Sequence, residues 1–213
     1  MTDHADLRDR LEALLKDASN IDWSTAELDD CIRLAMAELS GALPVQAVTT
    51  IEAVDETYEY DLSSLSGLVA VVEVWYPYSS EEYEYRLPHP VQWRMLHGST
   101  LYLNVDETPD AAYDLRVFYD KAQTLSGLDG ATSTSLDAEM KAVVILGAAG
   151  YAANALGRHK VDAVTFGNAA GELRKWGWAR LQEFRARLSA MSERLNGADD
   201  ARIGWWPADK WDL

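Results

Sequence analysis

The chain has 213 residues, 48% of them apolar, and a formal net charge of −16. This is enough length and apolar content for a packed core, which excludes a disordered chain. With 19 Lys/Arg against 35 Asp/Glu, the field of the molecule repels DNA, phosphate-rich ligands and anionic membranes, which excludes indiscriminate nucleic-acid binding.

Leu7, Leu11 and Leu14 place an apolar stripe on a first helix, which breaks near Ser19-Asn20. The N-terminal residues Asp3, His4, Asp6 and Arg8 hold no apolar run of the secretory kind, so the expectation is a soluble protein made in a cytosol. A second helix starts at Trp23-Ser24-Thr25-Ala26-Glu27-Leu28, where Ser24 can accept from the Glu27 amide and Glu27 can reach back to the Ser24 amide. Leu28, Ile32, Ala35 and Leu39 continue its stripe, and Gly41 with Pro44 ends it. The single cysteine, Cys31, lies in this stretch. It excludes an intrachain disulfide and a thiolate metal site within one subunit, and it is read as core rather than as a nucleophile.

From residue 45 to about residue 121 the apolar period becomes two, which predicts strands. Tyr58, Tyr60 and Leu62 share one face, residues 68–76 form a strong strand ended by Pro77, and residues 83–87 form a shorter one before Pro88 and Pro90. Residues 91–96 fit a helical turn or a brief strand equally well. Residues 100–105 and 113–119 complete a set of five or more short strands, the pattern of a small antiparallel sandwich or barrel.

A loop of turn formers spans 125–135, and a helix is predicted from Leu136-Asp137, with acids in its first turn. Residues 142–157 are apolar and rich in Ala and Gly. They are shorter than the ~20 residues of a membrane span and are read as a buried helix packed closely by neighbours. After a break near Gly157-Arg158-His159, a long helix carries Leu181, Phe184, Leu188, Met191 and Leu195 at spacings of three and four. Asn196-Gly197 is expected to end it, leaving residues 198–213 without periodicity but with three of the eight tryptophans. Residues 136–195 hold nine Lys/Arg against six Asp/Glu, so the C-terminal helices are the one mildly basic part of the chain.

No catalytic constellation emerges. Glu81, Glu82, Glu84, Asp106, Glu107, Asp199 and Asp200 sit in expected loops or on polar faces, where acids are solvated rather than paired for glycoside hydrolysis. His4, His89, His97 and His159 are scattered and read as surface residues, so neither a metal nor another cofactor is expected. Trp75, Tyr76, Tyr78, Tyr83 and Tyr85 gather around one turn of the strand block; core or subunit interface is favoured for them over a sugar-binding platform. Trp205, Trp206 and Trp211 have no local core to enter, and with Pro207 they are read as a docking segment.

The order of these features resembles the head–tail connector (adaptor) proteins of tailed bacteriophages. The likeness rests on the helix start at Trp23–Leu28 with Ile32, Ala35 and Leu39 behind it. It continues through Thr57-Tyr58-Glu59-Tyr60-Asp61-Leu62, the strand over 68–76, Leu101-Tyr102-Leu103, and Leu115-Arg116-Val117-Phe118-Tyr119. The Ala-rich helix over 140–156 and a long closing helix complete it. The family's proline-rich phrase before the last strand is reduced to Thr108-Pro109. The resemblance implies a structural virion protein, not an enzyme, at the head–tail junction. It would be a homo-oligomeric ring, commonly a dodecamer, beneath the portal protein and against tail or neck proteins. Genomic DNA would pass through without specific binding, no membrane would be involved, and the C-terminal segment would reach into the portal.

The expected fold is therefore α+β: a bundle of about four helices (1–44 and 136–195) with an inserted small antiparallel β-sandwich or barrel (45–121) and an extended tail (196–213). Trp205, Trp206, Pro207 and Trp211 are expected to anchor to the portal, and Leu181, Phe184, Leu188 and Met191 to pack the bundle or the subunit wall. Arg174, Lys175, Arg180, Arg185 and Arg187 are expected to meet an acidic partner or solvent. The alternatives are a β-domain that binds a glycan or cell-surface polymer through its aromatics, and a hydrolase with paired acids.

Overall fold

The computed structural model describes residues 2–79, 90–159 and 167–203. The chain is mixed α+β and divides into two units, one of residues Met1–Leu43 with Gln123–Leu213 and one of Pro44–Ala122.

The first unit is helical: α1 (Asp3–Leu15), α2 (Thr25–Ala42), α3 (Ala138–His159) and α4 (Gly167–Ile203). Thr2 caps α1, and Lys16 closes it in the left-handed region at φ 59°. The expected reciprocal cap opens α2: the Glu27 amide donates to Ser24 Oγ at 3.3 Å, and the Ser24 amide to Glu27 Oε2 at 2.8 Å. Between the two helices the buried Asp17 carboxylate accepts from the amides of Ile21, Asp22 and Trp23 at 2.9–3.0 Å. The Trp23 indole, itself buried, donates to the Ala152 carbonyl at 3.0 Å. Asp137 caps α3 through the Met140 amide at 2.7 Å.

Apolar side chains of all four helices form one core. Leu7 and Leu11 are fully buried, but Leu14, placed on the same stripe by its spacing, is 42% exposed. Two further expectations change. The apolar stretch of α3 is part of a 22-residue helix, long and apolar enough by length and composition to cross a membrane. Val143, Val144, Ile145, Leu146, Ala148, Ala149 and Ala152 on it are nevertheless buried in the helical core. The last helix does not stop at Asn196-Gly197; α4 continues to Ile203.

The second unit holds six strands: β1 (Val45–Glu52), β2 (Glu59–Asp61), β3 (Leu68–Tyr78), β4 (Gln92–Met95), β5 (Thr100–Asn104) and β6 (Asp114–Lys121). They form two three-stranded antiparallel sheets, ordered β1-β6-β3 and β2-β5-β4. Tyr60, Leu62, Leu101 and Leu103 from the second sheet and its flank meet Val71, Val74, Tyr76, Leu115 and Val117 from the first in a single cluster. Alternation delivers these side chains to the inner faces. No closed barrel forms among the described residues, because the two sheets stay separate. Residues 92–95, equally readable as a turn of helix, are a strand paired with β5. The strand expected over 83–87 lies outside the described residues.

The chain leaves the helical unit after Leu43 and returns at Gln123. There the Gln123 amide donates to Ser40 Oγ at 3.0 Å and its Nε2 to the Leu43 carbonyl at 2.6 Å, while Ser135 Oγ donates to Gln123 Oε1 at 2.6 Å. Ser40 Oγ in turn donates to the Met36 carbonyl at 2.8 Å.

Candidate assembly surfaces

The side chains singled out on α4 fall into a buried row and a charged one. Leu181, Phe184, Leu188 and Met191 lie on the side of α4 that is buried in the unit's own core, each at most 8% exposed. Small residues on α3 make room for them. A Cβ on Gly147 would come within 3.0 Å of the Phe184 ring, and one on Gly150 within 2.8 Å of Leu181.

Four of the five cations singled out on α4 already hold acids of the same chain. Lys175 pairs with Glu172 at 2.8 Å, Arg180 and Arg187 with the two oxygens of Glu183 at 2.9 and 2.6 Å, and Arg185 with Glu38 at 2.8 Å. Arg180 also lies over the Trp176 ring at 5.6 Å. Arg174 has no ion pair among the described residues; its stem packs where a Cβ on Gly157 would fall, 2.4 Å away. The Glu38–Arg185 pair is the most built of these, because Tyr151 also donates to Glu38. Arg185 holds the Glu38 carboxyl below the usual carboxylate range, with Tyr151 adding to the effect and partial burial opposing it. Spacing on α4 cannot reveal this pair, since its halves lie 147 positions apart.

Two exposed apolar side chains escaped the periodicity argument. Ile21, in the α1–α2 connector, is 84% exposed, and Trp178 on α4 is 62% exposed. The three-and-four spacing of the α4 stripe, extended backwards from Leu181 and Phe184, reaches Gly177 and leaves Trp178 off it. Trp178 lines a shallow groove of about 400 Å³ together with Asn154, Gly171, Arg174 and Lys175.

The aromatic residues of β3 are engaged within their own unit. The Trp75 ring centre lies 4.7 Å from that of Phe118, the Asp110 amide donates to Tyr76 Oη at 2.8 Å, and Arg116 donates to Tyr78 Oη at 2.6 Å. Tyr83 and Tyr85 lie outside the described residues, as do Trp205, Trp206, Pro207 and Trp211.

Of the titratable groups singled out, His89, Glu81, Glu82 and Glu84 lie outside the described residues. His4 is not a surface residue: it is buried, with Nε2 2.9 Å from Asp29 Oδ1. His97, Asp106 and Glu107 are exposed, and among the described residues no three of His, Cys, Asp and Glu group as metal ligands. Cys31 is buried, and desolvation pushes its thiol up to about 11, with Asp30 and Glu27 adding to the effect. Such a thiol is a core group, not a nucleophile.

A family model described as SU10 adaptor protein matches residues 2–204, a span that takes in both units. No curated protein matches the chain.

Proposed function

The chain belongs to the SU10 adaptor protein family, and from that premise we propose that this phage adaptor works as a ring at the head–tail junction of the virion, between portal and tail proteins. One observation carries the reading: the match spans the helical unit, the inserted β unit and the return to α3 and α4, so it concerns the whole architecture rather than a shared motif. The role needs no catalysis. Its chemistry is burial of surface between subunits, with DNA passing a wall whose net negative charge releases no counterions and so does not hold the duplex.

In this reading the segment with Trp205, Trp206, Pro207 and Trp211 anchors to the portal, because indoles supply large buried area with few torsions to freeze. The ring is a homo-oligomer, a dodecamer where it meets a twelve-fold portal, and the subunit is made in the host cytoplasm before it joins the particle.

The test is light scattering of the purified chain with DNA-filled heads that lack it, intact and cut after Ile203. The intact chain is expected to enter a ring-sized complex on the portal vertex and the cut chain to stay free. A chain that remains monomeric in every mixture overturns the adaptor ring.

A further inference from the structure

The β unit leaves one strand edge open. The Val91 amide donates to the Val74 carbonyl at 2.9 Å and Pro90 bridges to Trp75, so the chain entering β4 starts beside the second half of β3. It then crosses to the other sheet and pairs with β5. Among the described residues, 68–73 of β3 therefore have no strand on the edge opposite β6. This edge borders a groove of about 490 Å³, lined by residues 67–71, by Leu62 and Leu65, and by Met95 of β4.

Native edges are blunted by charge, proline or bulges. Here residues 68–72 read Leu-Val-Ala-Val-Val. The register with β6 slips at Val69 and at Val72, and these valines are 45% and 54% exposed. Unpaired backbone groups beside an apolar groove fit an extended strand with apolar side chains at alternate positions.

One segment of the chain has that form. In the strand expected over 83–87, Tyr83, Tyr85 and Leu87 alternate with Glu84 and Arg86. It cannot reach its own groove. At no more than about 3.6 Å per residue, Leu87 stays within about 11 Å of Pro90 and Tyr83 within about 18 Å of Tyr78. Leu68, at the outer end of the open edge, lies along the strand about 23 Å from Trp75 and about 33 Å from Tyr78. Neither end of the segment can lie beside Leu68, so it reaches this edge only from a second copy. The charges agree. Arg94, next to Met95, and Lys121, in register with Leu68, make no ion pair among the described residues. Residues 81–86 bring three acids against one arginine.

We propose that residues 83–87 of one copy add as a strand to the open edge of β3 in the next. Tyr83, Tyr85 and Leu87 then cover the groove, and the neighbouring acids face Arg94 and Lys121. The donated segment and the edge that takes it are different surfaces, so the contact is head-to-tail and repeats from copy to copy. The inference rests on the ring reading above and names a contact that builds it.

The experiment is photo-cross-linking of the full chain with Tyr85 replaced by p-benzoylphenylalanine. It is mixed with isotope-labelled native chain and irradiated under conditions where scattering shows assembly. Cross-links to residues 62–71 or Met95 are expected, each joining a labelled copy to an unlabelled one. Val69→Lys, at an exposed position outside the core, is expected to lower the assembled fraction about tenfold with unchanged thermal unfolding of the unassembled chain.

Assembly with cross-links confined to one copy, or directed to other residues or another protein, overturns this contact and leaves the ring standing. Val69→Lys assembling like the native chain does the same. A native chain that goes no further than a dimer, alone and on heads lacking it, overturns the ring and the contact with it.

Discussion

Gly150 and Gly177 face each other across α3 and α4 so closely that a Cβ built on either would lie 3.0 Å from the other's carbonyl oxygen. No side chain separates the two backbones at this crossing, and both positions depend on glycine for that reason. Gly150→Ala and Gly177→Ala are expected to destabilise the helical unit by about 1–3 kcal/mol, overpacking outweighing the gain in helix propensity. Gly41→Ala, where a Cβ meets nothing within 4 Å, is expected to stabilise by about 0.5–1 kcal/mol. Urea midpoints of the three variants check the opposite signs; a neutral or stabilising Gly177→Ala would contradict the close crossing.

Ser24→Ala removes the acceptor for the Glu27 amide and leaves Glu27 without its hydroxyl partner. A loss of about 1 kcal/mol is expected, against a few tenths for Ser24→Gly. Equilibrium unfolding of the two variants side by side separates the cap from any general sensitivity of the connector.

Glu38 titrates below its ordinary range in the folded chain because of Arg185 first, with Tyr151 adding to it. A depressed folded value means that the stabilisation is fully present above the unfolded glutamate range, about 4.3, and is lost as pH falls through the lower folded value. Glu38→Gln should therefore be less stable than the native chain at pH 7, with the gap closing below about pH 4. Unfolding curves from pH 7 to pH 3 measure this, and a gap independent of pH would remove the carboxylate's charge from the account.

Cys31 is buried, with its thiol at about 11. Aromatic disulfide reagents at pH 8 are expected to leave the native chain unlabelled and to titrate one thiol after unfolding. Stoichiometric labelling of the native state would show that α2 opens far more readily than its burial implies.

Much of the secondary structure in both units was legible because its signals are local. The Ser24–Glu27 cap, the stripe Leu28, Ile32, Ala35 and Leu39, and the period-two run at Leu101–Leu103 each express geometry within a few residues. What escaped was set by partners distant in sequence. His4 finds Asp29 on the next helix, Arg185 finds Glu38 on α2, and Trp23 finds a carbonyl on α3. The stop expected at Gly197 failed because one glycine costs a helix only about 1 kcal/mol. Of the candidate surfaces, the α4 stripe was visible as a pattern. The exposure of Ile21 and Trp178 was not, because hydrophobicity alone does not say which apolar residue is left outside the core.

The bonds that Gln123 makes to Ser40, Leu43 and Ser135 give the helices a property of their own. They hold the two ends of the inserted segment within hydrogen-bonding distance, so to the four helices the whole β unit has the footprint of a tight turn. Because loop-closure entropy grows only logarithmically with the length enclosed, the helical scaffold is nearly indifferent to what that turn contains. Related chains are then free to exchange, enlarge or shed the strands at little cost to the helices, and surfaces built on the strands can diversify while the helical framework is kept.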